Sequence, residues 1–232
     1  MYFFLKRALD ILLSGIALLL LLPFLIPIML LLRLTGEGEV FYGQERVGRQ
    51  GRKFKLLKFV TMLKNSPSIG TRTITTKNDP RVLPLGRFLR KTKINELPQL
   101  INVLKGDMSI VGPRPLTTET FSFYSDEVQK VVIQNQPGLT GIGSIVFRDE
   151  EAILNVSGKS AHDVMRQEIA PYKGALETWY DRKKSMPVDL GIILLTALAI
   201  INPASQLHYR WFPDLPRKSL AHRMGEGGPR AG

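Results

Sequence analysis

The stretch KTKINELPQLINVLKGDMSIVGPRPL, residues 91–116, combines clustered cations, a carboxylate and an arginine between two prolines. Pro113 and Pro115 restrict the backbone around Arg114, so its guanidinium can present two parallel donors to a phosphate at low entropic cost. A rigid turn that carries a solvated arginine is the alternative interpretation. Lys58, in the upstream stretch LLKFVTM, supplies a further cation. Together these residues indicate chemistry on phosphate groups.

Asn95 and Glu96 lie at the predicted start of a helix from Glu96 to Leu104. Asn95 is a suitable N-cap, Pro98 is tolerated in the first turn, and Gly106 stands just past the end. The free N–H groups of such a helix start favour an anion. A carboxylate beside a diphosphate also predicts a Mg²⁺ site, with Glu96 as the metal ligand. The alternative is that Glu96 only complements the helix dipole.

The composition limits the class of protein. The chain has 232 residues, enough for one main domain, and 32 lysines and arginines against 20 acidic residues give a net charge of +12. This charge implies an anionic partner such as nucleic acid, anionic lipid or a phosphorylated substrate. Aromatic residues do not alternate with the cations as in a base-stacking surface, which argues against nucleic acid. Without cysteine, the chain has neither disulfides nor a thiolate nucleophile.

A membrane segment is predicted near the N-terminus, within a unit of residues 1–36. Residues 11–32 carry no charged side chain, and a helix of this length reaches across about 30 Å of hydrocarbon. A cleaved signal peptide is a weaker interpretation, because the apolar run is long and no small-residue cleavage site follows it.

Two topologies are open for this segment. Pro23 and Pro27 lie inside the run, and each removes a helical hydrogen bond. Cations flank the run on both sides, at Lys6, Arg7, Arg33 and repeatedly over residues 46–64. Because both flanks favour the cytoplasm, a helix that enters, breaks and returns to the same face satisfies them. A proline-kinked single span is the alternative.

The remaining residues predict a mostly helical α+β domain over residues 37–203. EVFYGQERVGRQGRKFKLLKFVTM is typical of a short β-hairpin, and LGRFLRKT has helical spacing. Residues 117–135 and 161–183 have amphipathic helical patterns, and QPGLTGIGSIVF between them is turn-rich and then strand-like. The apolar residues 188–202 predict a helix in the core or the membrane interface. Residues 204–232 have the composition of a flexible basic tail.

Five stretches occur in an order that resembles a known family: FLKRALDILLSGIALLLLLPF, FKLLKFVTM, LGRFLRKTKINELPQLINVLKGDMSIVGPRPL, QPGLTGI and VDLGIILLTA. They are similar to the bacterial sugar transferases called monotopic phosphoglycosyl transferases. The resemblance runs from about residue 3 to residue 200 without the polar stretch 149–165. It implies a re-entrant membrane helix broken at Pro23, with the following domain on the cytoplasmic face of the bacterial inner membrane.

The resemblance also implies an activity and a set of site residues. Family members move a sugar phosphate from a nucleotide diphosphate sugar to a polyprenol phosphate, assisted by Mg²⁺, and release the nucleoside monophosphate. Lys58 and Arg114 match positions assigned to phosphate binding, Pro113 and Gln136 belong to the same substrate-binding motifs, and Glu96 matches the second of two catalytic carboxylates. The implied partners are these two substrates and membrane lipid. A homodimer is allowed, and nucleic acid is not expected.

The sequence departs from the family pattern at several positions. The usual DELPQ is NELPQ, so Asn95 occupies the position of the catalytic nucleophile beside Glu96. Val60 and Gln136 replace basic residues, and Leu22 replaces a serine that some members carry before the helix-breaking proline. An amide has no anionic lone pair to attack phosphorus, so the family's covalent phosphosugar intermediate cannot form at position 95. Several losses together favour natural divergence over a single deliberate change.

The sequence therefore supports two main hypotheses. The first is an enzyme that transfers a sugar phosphate to polyprenol phosphate in glycan assembly. The second is a catalytically altered or inactive relative that binds nucleotide sugar or polyprenol phosphate as a membrane partner of other glycan-assembly proteins. A basic membrane-surface protein with affinity for nucleic acid is the weakest interpretation. Residue 95 separates the first two.

Overall fold

The computed structural model describes residues 1–35, 37–68, 79–148, 160–202 and 205–217. The strands are β1 (Phe41–Val47), β2 (Lys53–Phe59), β3 (Ser109–Val111) and β4 (Gly138–Thr140). The helices are α1 (Tyr2–Leu34), α2 (Pro84–Lys91), α3 (Gln99–Lys105), α4 (Thr118–Phe121), α5 (Asp126–Gln134), α6 (Ile142–Val146), α7 (Ala161–Val164), α8 (Ala170–Lys183), α9 (Met186–Ile201) and α10 (Leu207–Trp211). The described part of the chain is thus a mostly helical α+β fold with small two-stranded sheets.

The N-terminal helix α1 is long and apolar enough to cross a membrane. It stays helical over Tyr2–Leu34 although Pro23 and Pro27 lie inside it. Many of its large apolar side chains are exposed, among them Phe4, Leu19, Leu20 and Phe24. A continuous apolar surface of this size indicates membrane association.

Buried polar contacts hold the N-terminal half of α1 against the rest of the protein. Lys6 Nζ donates to the carbonyl of Val111 (2.9 Å) and to Asp189 Oδ2 (2.6 Å). The hydroxyls of Tyr2 and Tyr180 donate to the two oxygens of the same carboxylate, at 2.9 and 2.8 Å. We call Tyr2, Lys6, Tyr180 and Asp189 the anchor network. It joins α1 to α8 and α9 and to the end of β3.

Apolar contacts hold the C-terminal half of α1. Leu25 and Leu32 are buried together with Phe59 of β2 and Leu89 of α2. Burial of such side chains stabilises the contact by roughly 1.5–3 kcal/mol each. Both halves of α1 therefore pack against one and the same domain.

The two sheets differ in pairing. β1 and β2 form an antiparallel hairpin in which Gln44 lies opposite Leu56. β3 and β4 pair in parallel, with Ser109 opposite Gly138. The largest buried cluster lies beneath β3, where α6, α8 and α9 meet around Ile142, Leu176 and Ile192.

The hairpin and α2 confirm the elements predicted from the sequence. The helix predicted from Glu96 to Leu104 is different: a 3₁₀ turn occupies Ile94–Glu96, and α3 begins only at Gln99. Gly106 ends α3 in the left-handed conformation (φ 90°), as the sequence predicted.

Residues 117–135 form two helices, where the pattern predicted one. The side chains of Thr117 and Ser125 each accept a bond from a backbone N–H three residues later, so each residue starts its own helix. The predicted strand after Gly138–Thr140 is also wrong, because residues 142–146 form α6.

The helix predicted over residues 161–183 is present, but a π-helical turn at Met165–Ile169 interrupts it. Pro171 follows this turn, and a proline without an N–H disturbs the regular helical ladder.

The folded part extends beyond the predicted domain boundary at residue 203. Residues 205–217, assigned to the tail, include α10, and Leu215 is only 3% exposed in the main core. The helix pattern of residues 207–211 is too short to predict a buried element. Residues 204 and 218–232 of the predicted tail, and residues 149–159 of the polar stretch 149–165, lie outside the described residues.

Candidate phosphate-binding site

One face of the hairpin presents two cations. Side chains alternate across a strand, so Arg46 on β1 and Leu56 and Lys58 on β2 point to the same side. These three residues line a narrow cleft together with Gln99, Arg114, Pro115, Gly138 and Leu139. The hairpin therefore forms one wall of the cleft and positions the two cations.

Asn102 fixes the position of the hairpin relative to α3. Its Oδ1 accepts a bond from the N–H of Leu57 (2.9 Å), and its Nδ2 donates to the carbonyl of Lys55 (2.9 Å). The buried amide thus replaces a neighbouring strand at the open edge of β2. As a result, Lys58 is held beside the turn that carries Glu96.

The turn Ile94–Glu96 follows Lys93, which has a left-handed backbone (φ 61°). Asn95 lies inside this turn and is 5% exposed, and its Oδ1 has no hydrogen-bond partner in the described part of the chain. The predicted capping of a helix by Asn95 is therefore not formed.

Several backbone donors at the start of that helix are already occupied. The N–H groups of Glu96, Leu97, Leu100 and Ile101 donate to carbonyls within the turn and the first part of α3. Those donors are occupied by local backbone bonds, so the positive charge of the cleft comes from side chains.

Arg114 enters the cleft from a loop that the backbone holds tightly. The Pro113 carbonyl accepts a bond from Gly138 (2.8 Å), and the N–H of Val47 donates to the Leu116 carbonyl (2.9 Å). A side chain at Gly112 would be impossible without movement, since its Cβ would lie 2.2 Å from the Gln136 carbonyl oxygen. The predicted rigidity around Arg114 thus comes from tertiary contacts as well as from the prolines.

Glu96 is a carboxylate beside the cleft, in contact with Arg114. Arg114 Nη2 lies 3.5 Å from Glu96 Oε1, and the Glu96 side chain is 19% exposed. Burial alone would raise the pKa of Glu96, but Arg114, Lys58 and Lys93 outweigh it and lower the pKa to about 2. Glu96 is therefore ionised at all physiological pH values.

Burial and neighbouring cations disfavour the charged forms of Lys58 and Arg46. Burial lowers the pKa of Lys58 to about 7, with further lowering by Arg46 and Arg114 that Glu96 opposes. Burial and the charge of Arg114 likewise lower the pKa of Arg46 to about 10. Among the described residues, the cations of the cleft outnumber the carboxylates, an arrangement that favours an anion.

The structure brings Lys58, Glu96 and Arg114 together, as the sequence predicted, with Asn95 and Pro113 beside them. Gln136 is used elsewhere: its side-chain amide donates to the carbonyl of Gly106 at the end of α3. Pro23 lies in the exposed part of α1, away from the residues that line the cleft.

Sequence reasoning missed Arg46, Gln99 and Asn102. Arg46 was one of many cations between residues 46 and 64, and only strand register distinguishes it. Gln99 is 4% exposed and opens α3 at the cleft. The sequence could have identified Arg46, because side chains alternate between the two faces of the predicted hairpin and this alternation puts Arg46 and Lys58 on the same face.

A larger cavity, about 300 Å³, lies beside the C-terminal end of α1. Its walls are mainly apolar, and Val60, Leu32 and Leu85 contribute to them. The cations of the cleft are absent from this lining, so the larger cavity lacks the charge that a phosphate site needs. Val60, which replaces an expected cation, faces this apolar cavity.

The fold and the cleft define a protein with a long apolar helix that indicates membrane association and with a cationic cleft in its folded domain. The bacterial sugar transferase family model matches residues 1–203. The chain belongs to this family.

Curated relatives support the assignment. The exopolysaccharide production protein ExoY of Rhizobium meliloti is 33% identical over 84% of this chain and 84% of its own length. The UDP-glucose:undecaprenyl-phosphate glucose-1-phosphate transferase of Escherichia coli is 42% identical over 87% of this chain, which spans 41% of that longer protein. The undecaprenyl-phosphate galactose phosphotransferase of Salmonella typhimurium is 34% identical over 85% of this chain and 40% of its own length.

Proposed function

We propose that this protein transfers a sugar phosphate from a nucleotide diphosphate sugar to a polyprenol phosphate in the membrane. The reaction would be the first step in assembling a glycan such as an exopolysaccharide, a capsule or an O-antigen. The observation that carries the proposal is the cleft lined by Arg46, Lys58 and Arg114, where the cations outnumber the carboxylates among the described residues. A diphosphate balances this excess of positive charge. The names of the relatives make UDP-glucose and UDP-galactose the first candidates for the donor.

The cleft residues have distinct roles in this proposal. Arg114 offers a planar pair of donors to one phosphate, and Lys58 offers a compact charge to the same diphosphate. Arg46 is tied to the carbonyl of Pro115 (3.0 Å) and to Gln44 Oε1 (2.6 Å), while its buried Nε has no partner in the described chain. Arg46 therefore adds positive electrostatic potential to the cleft, and its Nε–H is a hydrogen-bond donor without a partner among the described residues. Together these groups stabilise the negative charge that develops on the transferred phosphate.

Glu96 is the proposed ligand of a Mg²⁺ ion. The donor types fit this ion, because Glu96 is an ionised carboxylate and the preceding residue, Asn95, has an amide oxygen without a partner among the described residues. Within the described residues no cluster of three or more acidic or histidine side chains offers an all-protein cage. The substrate phosphates would supply further oxygens. When bound, Mg²⁺ neutralises phosphate charge and favours departure of the nucleoside monophosphate.

Asn95 decides the route of the reaction. A carboxylate at this position would give a covalent phosphosugar enzyme in the route that the family resemblance implies, but an amide does not attack phosphorus. We propose direct attack instead. An oxygen of the polyprenol phosphate forms a bond to the sugar-bearing phosphorus, and the bond from that phosphorus to the nucleoside monophosphate breaks.

Asn95 also favours a second candidate function. A cleft that keeps its cations and its metal-binding carboxylate, yet lacks the nucleophile, can bind nucleotide sugar or polyprenol phosphate without turnover. Such a protein would act as a membrane partner in glycan assembly. Binding without release of nucleoside monophosphate would identify this function.

The deciding experiment restores a carboxylate with Asn95→Asp. Membranes or purified protein are mixed with labelled UDP-sugars and polyprenol phosphate, and intact-protein mass, lipid-linked label and UMP are measured. We expect no phosphosugar adduct on the natural chain and a gain of adduct or turnover in Asn95→Asp, because the new oxygen has nearly the same position. Asn95→Ala is the matched control, since it removes the amide without adding a nucleophile. An adduct on the natural chain would contradict this account of Asn95.

We further infer that α1 is re-entrant and that the domain faces the cytoplasm. A helix that crossed the bilayer straight would carry one of its halves away from the domain. Here Lys6 and Leu32, near opposite ends of α1, are both packed against it. The cations on both flanks favour the cytoplasmic side. A homodimer stays a prediction.

A tag placed before Tyr2 tests this topology. In intact cells the tag should be protected from a membrane-impermeant reagent added outside and should become accessible after the inner membrane is opened. A tag after residue 217 is the control for the cytoplasmic face. Labelling of the N-terminal tag from the periplasm would show a spanning helix.

A further inference from the structure

The outer face of the first turns of α1 is apolar. The charged side chains of this stretch, Lys6, Arg7 and Asp10, are all hydrogen-bonded to atoms of the folded domain. The side chains that remain exposed over residues 1–10 are apolar, and Phe3 and Phe4 are the largest of them. The apolar surface of the membrane-associated helix therefore continues to its N-terminal end.

The turn of residues 48–52, which joins β1 to β2, lies at this end of α1. We call it the hairpin turn. The guanidinium carbon of Arg49 is 5.9 Å from the centre of the Phe3 ring, and Nζ of Lys184, between α8 and α9, is also 5.9 Å from it. These distances are within the range of cation–π contacts. The hairpin turn thus places cations beside an exposed aromatic ring of the membrane helix.

Backbone bonds fix the shape of the hairpin turn. The N–H of Gly48 donates to the carbonyl of Arg52 (2.8 Å), and the N–H of Gly51 donates to the carbonyl of Gly48 (3.1 Å). Gln50 and Gly51 both have a left-handed backbone, with φ of 59° and 74°. Arg49 and Arg52 stand on either side of these two residues, and both arginines are exposed. The two guanidinium groups are therefore presented to the outside by a tight turn.

The charges of the two arginines are not balanced by neighbours. Nearby lysines are balanced by carboxylates, in the pairs Lys53–Glu45 and Lys184–Asp181. No ion pair among the described residues includes Arg49 or Arg52. Neither arginine lines the phosphate-binding cleft, so the proposed function does not account for them.

We propose that Arg49 and Arg52, beside Phe3, bind the phosphate groups of anionic phospholipids at the membrane surface. The aromatic ring lies at the boundary of the acyl chains, and the guanidinium groups reach the headgroup phosphates, to which they can present paired donors. The position next to α1 favours lipid over any soluble anion. Because the hairpin also carries two cations of the cleft, Arg46 and Lys58, this contact would hold one wall of the cleft against the membrane.

The proposal depends on the membrane association of α1 and not on the proposed enzymatic function. It therefore stands or falls on a binding measurement that needs no turnover.

The test places a fluorophore on the hairpin turn. The chain has no cysteine, so Gln50→Cys gives a single labelling site. The labelled full chain is inserted into phosphatidylcholine nanodiscs that contain a small fraction of phosphatidylglycerol or phosphatidylcholine with a nitroxide near the headgroup. The nitroxide lipid quenches the fluorophore when it binds beside the turn.

We expect the nitroxide phosphatidylglycerol to quench at a concentration at least about fivefold lower than the phosphatidylcholine, since one basic residue at an anionic surface contributes about this factor. The preference should decrease as salt is added. It should largely disappear in the double variant Arg49→Gln, Arg52→Gln. Both side chains are exposed, so this variant should keep its fold.

Two control variants separate charge at the turn from charge in general. Arg49→Lys with Arg52→Lys keeps both charges and should keep most of the preference. Arg166→Gln removes an exposed cation between α7 and α8 and should leave the preference unchanged.

Three results would overturn the proposal. Equal quenching by the two lipids would show that the turn is near the membrane without selecting anionic lipid. Absence of quenching by either lipid would place the turn away from the membrane. Loss of the preference on addition of millimolar inorganic phosphate would indicate a site for free phosphate instead.

Discussion

Two groups of buried charge in this protein are built in opposite ways. In the anchor network, one cation, Lys6, meets one carboxylate, Asp189, and the remaining carboxylate oxygen is bonded to Tyr180. In the cleft, the cations outnumber the carboxylates among the described residues, and the pKa of Lys58 is lowered to about 7 because burial and the other cations disfavour its charge.

The difference distinguishes a structural contact from a binding site. A balanced and fully hydrogen-bonded pair needs no further partner, and breaking it leaves a buried charge alone. An unbalanced group lowers the stability of the free protein and is relieved when an anion arrives. The anchor network should therefore govern folding and membrane attachment, whereas the cleft should govern ligand binding.

The largest expected effect is on the anchor network. Asp189→Ala removes the partner of Lys6 and should lower the free energy of unfolding by about 3–5 kcal/mol, the usual cost of a buried charge left unpaired. Chemical unfolding in detergent micelles measures this change. The double variant Lys6→Met, Asp189→Leu is the control and should recover much of the stability. If Asp189→Ala were as stable as the unchanged protein, the anchor network would not be the structural contact that distinguishes it from the cleft.

The next effect is on ligand binding in the cleft. Arg114→Ala should weaken UDP-glucose binding by about 1.5–3 kcal/mol, since a charged hydrogen-bond pair is lost. Arg114→Lys keeps the charge but loses the planar pair of donors. It should weaken binding by about 1–3 kcal/mol, and by less than Arg114→Ala does. Calorimetry measures both, with Lys53→Ala on the exposed edge of the hairpin as the control. Unchanged binding in Arg114→Ala would exclude Arg114 from the site.

The pH dependence of binding tests the charge excess directly. The pKa of Lys58 in the free protein is lowered to about 7, so Lys58 is increasingly neutral above that pH. A bound diphosphate favours its charged form, so binding should take up a proton and weaken by up to tenfold per pH unit above about 7. Binding enthalpies in buffers of different ionisation enthalpy count the protons taken up. In Lys58→Met this uptake should disappear; an unchanged uptake would assign it to another group.

The smallest expected effect concerns Gln136. Its amide donates to the Gly106 carbonyl, where Arg7 also binds the carbonyls of Val103 and Leu104. Gln136→Ala should lower the free energy of unfolding by about 0.5–1.5 kcal/mol and leave UDP-glucose binding unchanged. Urea unfolding and calorimetry on the same preparation separate the two. Loss of binding with unchanged stability would restore the substrate-binding role that the motif implies.

Much of the fold followed from local patterns. The apolar run gave α1, and alternation around a glycine-containing turn gave the hairpin, because both signals depend on neighbours in sequence. The helix start at Glu96 was misplaced because Lys93 adopts a left-handed backbone and Pro98 delays the regular ladder until Gln99. Segment 117–135 was misjudged because two capping residues divide one apolar pattern.

The amino-acid sequence alone determined the membrane helix, the positive charge, the absence of a nucleophilic carboxylate at Asn95 and the cations Lys58 and Arg114. These are properties of residue type and near spacing. Only the tertiary structure decided that Arg46 joins them and that Gln136 bonds to the carbonyl of Gly106 at the end of α3. Those contacts join residues far apart in the chain, and they depend on strand register, helix packing and burial, which no local pattern specifies.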